Sequence, residues 1–402
     1  MTDTHAHVVV VGAAAAGTAT ALNLRRAGHA GPITLVGDEP VLAYDRPPLS
    51  KGVLLGTQAI GEIGLATAEQ LAENGITVLL GARATGLDPV GHRVLLDGGE
   101  ELAYDTVVIA TGASPRRLPA LDGLDNVHAI RTDRDATRLA GALRPGRRLG
   151  VVGGGLIGLE VAASARKRGL EVTVVEPAEL PLAERLTVPV SSWLMDLHRG
   201  HGVDLRLGRT VADTVTAGSS VAALALSDGA EIPVDEVLVA VGATPNTGWL
   251  ESSGLELGNG VRCDEHQRAA EDVYVVGDVA EGYHPVYGRH LRMETRTNAT
   301  EGPFHLARTL TGGAAPYAPV PFFWTDQYDA KVQAFGIARP GDEIEFVDGG
   351  SPEDERWIAV CRREGRLVAF VGRGAGKPLL TWRRALQNEF EMDLNKEVAV
   401  TP

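Results

Sequence analysis

One pattern of strand, glycine turn and helix occurs twice in this chain, and few folds accommodate such a duplication. Val8-Val9-Val10-Val11 runs into Gly12-Ala13-Ala14-Ala15-Ala16-Gly17, and Leu149-Gly150-Val151-Val152 runs into Gly153-Gly154-Gly155-Leu156-Ile157-Gly158. Each leads into a helix of small and apolar residues, and each is followed by a second apolar strand, over 33–36 with Asp38 at its end and over 172–175 with Glu176 at its end. The later halves agree as well. Asp97-Gly98 and Asp228-Gly229 are hairpin signals between apolar runs, and strands over 106–110 and 236–240 end in Thr111-Gly112-Ala113-Ser114-Pro115 and Val241-Gly242-Ala243-Thr244-Pro245. The expectation is an α/β protein with two Rossmann-like dinucleotide-binding domains, each carrying a small β excursion. A strand over 274–276, ending in Gly277-Asp278, reads as returning to the first sheet, so the first domain is expected to be discontinuous, 1–112 with 246–320, around a second domain over 113–245. From about Pro321 short strands rich in Phe, Trp and Val take over, and a C-terminal α+β domain is expected over 321–402.

The glycine spacing has a chemical reason. The first glycine makes the tight turn, the second lets the backbone approach a pyrophosphate, and the third lets helix pack on strand. The helix N-terminus then offers N–H groups and partial positive charge to the phosphates, and the acidic residue accepts from ribose hydroxyls. Gly153, Gly155, Gly158 and Glu176 meet the pattern in full. A carboxylate at 176 welcomes a ribose 2′-hydroxyl and repels a 2′-phosphate, which favours NADH over NADPH. In the first copy Ala14 stands where the second glycine is expected, while Gly12, Gly17 and Asp38 remain. Two readings stand for that copy: a working site with a slightly displaced pyrophosphate, or a degenerate repeat that only supports the fold.

Composition narrows the function. Cys263 and Cys361 are the only cysteines, far apart in sequence; they give no disulfide framework, no metal-ligand spacing and no iron–sulfur ligation. The segment Arg46-Pro47-Pro48-Leu49-Ser50-Lys51 lacks the paired cysteines of thioredoxin, glutathione or lipoamide reductases, and the single one of peroxidases and NADH oxidases. So few cysteines fit a reducing, cytoplasmic setting. A formal charge of −14 argues against nucleic acid or an acidic membrane surface as partner. The uncharged run over 6–24, with no Lys or Arg before it and two glycines within it, reads as strand and glycine-opened helix rather than signal peptide or membrane span.

Further motifs lie in a fixed order: Gly37-Asp38-Glu39-Pro40, Tyr44-Asp45-Arg46-Pro47-Pro48-Leu49-Ser50-Lys51, Val275-Val276-Gly277-Asp278-Val279-Ala280, Arg292-Met293-Glu294 with Asn298-Ala299, and Phe323-Trp324-Thr325-Asp326-Gln327-Tyr328. In these, over nearly its whole length, the chain resembles the FAD-dependent ferredoxin reductases that serve cytochromes P450 and ring-hydroxylating dioxygenases, the putidaredoxin reductase and biphenyl dioxygenase reductase type, with apoptosis-inducing factor a more distant relative. The resemblance implies a glutathione-reductase type of fold and a set of roles. FAD would be held at Gly12, Ala14, Ala16, Gly17, Asp38, Arg46, Ala84, Thr111, Gly112, Arg131, Asp278, Glu294, Thr295 and Arg296, with Asp38 and Arg46 toward the adenosine half. NAD would be held at Gly153, Gly155, Leu156, Ile157, Gly158, Glu160, Glu176, Arg185, Val241 and Gly242. Lys51, paired with Glu160, would lie beside flavin N5, and Trp324 would reach the flavin face; these three are the catalytic candidates. Plainer readings stand beside them: a solvated lysine after a Pro-Pro turn, a helix-surface glutamate and a core tryptophan.

Two residues depart from the family's pattern. Arg296 occupies a position near the flavin where Trp, His or an aliphatic residue is usual, and either acts on the flavin or points to solvent; Glu301, in place of the usual Gln, is a candidate partner for it. The implied reaction is hydride transfer from NADH to FAD, then single-electron transfer to a ferredoxin-type iron–sulfur protein. Between residues 356 and 384 eight basic residues face one acidic one, a segment of +7 in a chain of −14, which suggests docking of an acidic ferredoxin. The expected assembly is a monomer or weak homodimer. Alternatives are an FAD/NAD(P)H oxidoreductase acting directly on a small organic substrate and an NADH-responsive interaction protein like apoptosis-inducing factor. A membrane quinone reductase is disfavoured, since no anchoring C-terminal amphipathic helix is read.

Overall fold

A computed structural model describes residues 4–313 and 315–400. The Val8–Val11 strand lies inside a six-stranded sheet, parallel to Ile33–Gly37 on one side and Thr106–Ile109 on the other, with Val8 opposite both Ile33 and Thr106. All four of its valines are buried, as a strand covered on both faces requires. Ile76–Leu80 extends one edge, and Val273–Val275 adds itself beside Thr106–Ile109 after a long excursion of the chain. The second sheet repeats the plan: Arg148–Val152 lies between Glu171–Glu176 and Glu236–Val239, all parallel, with Val203–Leu207 and Val127–His128 at the edges.

Each copy carries a three-stranded antiparallel excursion, over Ala84–Asp88, Arg93–Leu96 and Glu101–Ala103 in one, and Val211–Ala217, Ser220–Leu226 and Glu231–Pro233 in the other. Asp97-Gly98 and Asp228-Gly229 sit at the turns read from sequence. The copies are joined where their equivalent exits meet: Ala113–Pro115 pairs antiparallel with Ala243–Pro245, and Thr111 and Asn246 exchange hydrogen bonds of 2.9 and 2.8 Å.

Two glycines show why the turn has its sequence. Gly153 has φ +110°, and a Cβ there would overlap the Ala240 carbonyl oxygen. A Cβ on Gly158 would overlap the carbonyl oxygen of Gly153, so only glycine lets the helix Leu156–Lys167 lie this close to the turn. Gly12 and Gly17 repeat both constraints against Ala110 and Gly12.

The C-terminal region is a five-stranded antiparallel sheet in the order Phe322–Gln327, Ala330–Gly336, Arg366–Arg373, Trp357–Arg363, Glu343–Asp348. Ala330, Val332, Trp357 and Val371 pack it on the helix Val188–Gly200 through Val190, Trp193 and Leu194, with Trp193 set edge-on to Trp357 at 5.5 Å. On the other side a 25-residue helix, Gly376–Val400, buries Leu379, Leu386 and Phe390 against Ile358, Val360 and Phe370. This helix supplies the α part of the region. Leu379, Leu386 and Phe390 face protein, and among the described residues no helix is long and apolar enough to cross a membrane.

Two buried histidines set a pH dependence. His198 and His284 are held by an amide and a carbonyl, respectively, and burial pushes both below the ordinary imidazole value, His198 to about 4. The unfolded chain then binds more protons than the native one between that value and 6.5, so stability rises with pH there and falls as pH drops from about 6.5 to 4, by at most ~3 kcal/mol for His198. Calorimetric melting at pH 7.5, 6 and 5 should show the midpoint falling, and His198→Gln should flatten the fall.

Candidate active site

At the first glycine turn, Ala14 is extended (φ −80°, ψ −159°) and the helix Ala15–Arg26 begins without a side-chain cap or an acidic residue in its first turn. Ala14 is therefore unstrained. At the equivalent place in the second copy, a Cβ on Gly155 would meet nothing within 4 Å. The protein itself thus accommodates a methyl group at this point of the turn, and any crowding by Ala14 falls on the ligand.

Other elements close on this turn. A Cβ on Gly277 would lie 2.8 Å from the Ala16 methyl, which brings Gly277-Asp278 against the start of the helix. Asp278 pairs with Arg131 at 2.9 Å, and Gly112 (φ +68°) stands within 3.3 Å of the Arg131 guanidinium by its added Cβ. Arg46 donates to the Arg131 carbonyl at 2.5 Å, pairs with Glu39 at 2.6 Å and lies over the Tyr44 ring. Asp38, at the end of Ile33–Gly37, is exposed and pairs with Arg83 at 3.3 Å. Ala84 opens a strand beside Arg83 and packs on the Val94 and Leu96 cluster. Uncapped N–H groups, paired arginines and an acidic strand end fit a dinucleotide with its pyrophosphate at the helix N-terminus.

The second turn has the same form. Gly155 caps the helix Leu156–Lys167 with extended backbone and no side-chain cap, leaving Leu156 and Ile157 at its first turn, Ile157 exposed. Glu176 accepts from the Gly154 N–H at 2.6 Å and the Ala178 N–H at 2.9 Å. Val241 and Gly242 follow the neighbouring strand Glu236–Val239. Arg185 is exposed on a short helix, Ala183–Leu186, between Leu182 and Thr187, both at positive φ. The donor set fits a second dinucleotide.

Between the two turns lies a buried ion pair. Glu160, on the helix Leu156–Lys167, is 3 % exposed and accepts at Oε2 from the Lys51 ammonium at 2.7 Å and the Ser50 hydroxyl at 2.6 Å. Its Oε1 accepts from Thr325 at 2.7 Å. Glu160 is therefore not a helix-surface glutamate, nor Lys51 a solvated lysine. The turn around Lys51 is tied to the same helix by Ser164 donating to the Ser50 carbonyl and Arg168 to that of Leu54. Trp324 is half-buried and stacks on Phe322 at 5.9 Å.

One expectation requires correction, and two other groups of residues have protein partners that the sequence did not reveal. Arg296 does not pair with Glu301: its guanidinium, partly exposed, pairs with Asp45 and donates to Thr300. Glu301 instead stands 4.0 Å from Arg383, and burial pushes its carboxyl above the usual range. Glu294 is exposed and pairs with Arg292 at 2.5 Å, and the Thr295 hydroxyl accepts from the Asn298 N–H. Five of the eight basic side chains between residues 356 and 384 have acidic neighbours: Arg356 faces Asp348, Arg363 faces Asp342, Arg366 faces Glu389 and Asp393, Arg373 faces Asp329 and Arg383 faces Glu301. Ser50, Thr325, Gln327 and His198 were not singled out from sequence. Ser50 adjoins Lys51, and the alternation along Phe322–Gln327, which puts Thr325 and Gln327 on one face, was the available signal. Cys263 and Cys361 are buried free thiols, both pushed up to about 12 by burial.

The chain matches the family model described as pyridine nucleotide-disulphide oxidoreductase over residues 6–302 and that described as reductase C-terminal over 322–399. It is 40 % identical to the ferredoxin–NAD(+) reductase component of the p-cumate 2,3-dioxygenase system of Pseudomonas putida, over 84 % of this chain and 83 % of the relative. Rhodocoxin reductase of Rhodococcus erythropolis is 37 % identical over 96 % and 90 %. Among solved structures, the covalent putidaredoxin reductase–putidaredoxin complex matches with a TM-score of 0.90 and 33 % identity, covering 95 % of this chain and 92 % of that one.

The two glycines of the second turn should separate binding from folding. Gly155→Ala should leave stability within about 0.5 kcal/mol of wild type but weaken NADH binding about tenfold. Gly158→Ala should destabilise by ~2 kcal/mol through overlap with Gly153. Calorimetry and a fluorescence titration with NADH read the two effects.

Proposed function

The chain belongs to the pyridine nucleotide-disulphide oxidoreductase family as an FAD- and NAD(H)-dependent ferredoxin reductase, and from that premise we propose that it passes electrons from NADH through FAD to an acidic ferredoxin-type iron–sulfur protein feeding a cytochrome P450 or a dioxygenase. The observation that carries this reading is the Lys51–Glu160 pair, buried where the two glycine-turn units meet. FAD in the first site supplies hydride acceptance from NADH and release of electrons singly.

The chain's own residues do the rest. The turn from Gly12 to Gly17 offers helix N–H groups to the FAD pyrophosphate, with Arg131 and Asp278 beside it and Asp38 and Arg46 toward the adenosine. The turn from Gly153 to Gly158 offers the same to NADH. Glu160 fixes the Lys51 ammonium, which would supply positive charge to the bound flavin, and Trp324 would contribute an aromatic contact to it. Glu176 exchanges its backbone partners for ribose hydroxyls, which excludes a 2′-phosphate and favours NADH over NADPH. The FAD domain comprises 1–112 with 246–320, the NAD domain 113–245 and the C-terminal domain 321–402. Pairing of Arg296 with Asp45 leaves no unpaired cation there for a small organic substrate, which counts against direct action on one.

The partner's docking surface is the helix Gly376–Val400 at Lys377, Arg383 and Arg384, together with Arg362. Arg383 lies over the Phe335 ring, in an aromatic stack that continues through Phe322 to Trp324. A monomer or weak homodimer in the cytoplasm suits this task.

Anaerobic stopped-flow mixing of the FAD-loaded protein tests the reading. NADH should bleach the flavin rapidly, NADPH more slowly, and an acidic [2Fe–2S] ferredoxin should restore the colour; bleaching without reoxidation would sink the ferredoxin assignment. Glu176→Ala should narrow the NADH:NADPH preference by about tenfold or more. Ferredoxin reduction should slow steeply with salt, and Arg383→Glu with Arg384→Glu should abolish that dependence; a flat salt profile in the wild type would remove the docking surface.

A further inference from the structure

Glu160 is the end of a longer chain of contacts. Its Oε1 accepts from the Thr325 hydroxyl at 2.7 Å, Thr325 Oγ1 accepts from the Gln327 amide nitrogen at 3.0 Å, and Gln327 Oε1 meets His198 Nε2 at 2.6 Å. His198 Nδ1 lies 3.2 Å from the Tyr328 hydroxyl. Thr325 and His198 are 0 % exposed and Gln327 1 %, so water offers these groups no substitute partner.

The chain has a single sense. An ionised carboxylate only accepts, so Thr325 must spend its one proton on Glu160. Its oxygen then accepts from the Gln327 amide, which turns the amide oxygen toward His198 and requires a proton on Nε2. Nδ1 is left to accept from Tyr328. Each link fixes the next, and every donor points toward Glu160. The helices Leu156–Lys167 and Val188–Gly200 are thereby joined through the strand Phe322–Gln327.

We propose that Thr325, Gln327 and His198 are positioning residues, a hydrogen-bond chain of fixed sense that holds Glu160 and, through it, the Lys51 ammonium in place. Thr325 supplies the one donor to Oε1, which leaves Oε2 to Lys51 and Ser50. Without it the carboxylate turns to fill the vacant acceptor, and the ammonium is no longer held. Loss of His198 acts at a distance: the Gln327 amide is free to flip, and the flipped amide offers Thr325 an acceptor that competes with Glu160.

The inference rests on the reductase reading for its catalytic meaning, and the test keeps the two apart. In the FAD-loaded protein, acetic anhydride labelling of Lys51 relative to exposed Lys377, read by peptide mass spectrometry, reports how firmly the ammonium is held. Anaerobic bleaching by NADH reports the limiting rate and the apparent Kd. Thr325→Val and His198→Leu should label Lys51 about fivefold faster and lower the limiting rate about tenfold, with the Kd for NADH within about twofold of wild type. Thr325→Ser and His198→Gln, which keep the donors, should restore both within about twofold. Wild-type labelling and rate in Thr325→Val and His198→Leu would overturn the proposal, as would a loss that Thr325→Ser fails to rescue. If Thr325→Val does not fold, labelling in His198→Leu decides alone, faster in support and unchanged against. A wild-type protein that NADH does not bleach would refute the reductase reading, while the labelling comparison would still decide how Lys51 is held.

Discussion

A carboxylate at 3 % exposure exists in a folded protein only if its lost hydration is replaced, and the arrangement of this molecule follows from how Glu160 meets that demand. The three donors come from two stretches of chain: Lys51 and Ser50 from the loop after the first Rossmann strands, and Thr325 from the C-terminal sheet. Glu160 itself rides on the helix opened by the second glycine turn. Breaking any one contact leaves a buried charge under-satisfied, so the contacts that prepare the site also fix the mutual placement of the parts. The apolar packing of Trp357 and Val371 on Trp193 and Leu194 brings the C-terminal sheet close, and the hydrogen bond from Thr325 sets its register against the helix.

The duplication explains how two dinucleotide sites come to face one junction. Each copy ends its fourth core strand in a short segment, Ala113–Pro115 or Ala243–Pro245, and these segments pair with each other. Equivalent ends of two similar units are thus joined back to back, and the helices opened by the two glycine turns belong to units that cannot drift apart along that ladder. The copies differ where ligand rather than fold sets the constraint. Gly12 and Gly153, and Gly17 and Gly158, meet the same backbone overlaps and are invariant between them. Ala14 and Gly155 sit where the protein leaves room, and there the sequences diverge.

What was legible in the sequence follows the same division. Strand, turn and helix were readable because their signals lie within about ten residues, and observed strands such as Thr106–Ile109 and Val273–Val275 fall within a residue of expectation. Glu160 and Lys51 came from resemblance alone, since no local pattern links positions 109 apart. Ser50, Thr325, Gln327 and His198 escaped notice for the same reason: their partners lie 110 to 165 positions away, or, for Gln327, across a strand whose facing helix was unknown. The charge count between residues 356 and 384 was incomplete for a different reason. It treated nearby arginines as one patch, whereas Asp342, Asp348, Glu389 and Asp393 lie outside that window and pair with three of its guanidiniums, Arg363, Arg356 and Arg366. Arg296 is the extreme case, with an acceptor 251 positions away at Asp45.

The strand Phe322–Gln327 shows why the C-terminal sheet belongs to the site rather than merely beside it. Its side chains alternate, so Thr325 and Gln327 point toward Glu160 and His198 while Phe322 and Trp324 take the opposite face. One rigid strand thus sets a hydroxyl on a buried carboxylate and an indole on the other side of the sheet, and neither can shift without the other. A one-residue slip would turn Trp324 toward Glu160, where the indole N–H has no place in a chain that needs both a donor and an acceptor, and would carry Thr325 and Gln327 away from their partners. The register of this single strand, fixed by pairing with Ala330–Gly336, therefore couples the electrostatics of the Lys51 pair to the placement of the aromatic group.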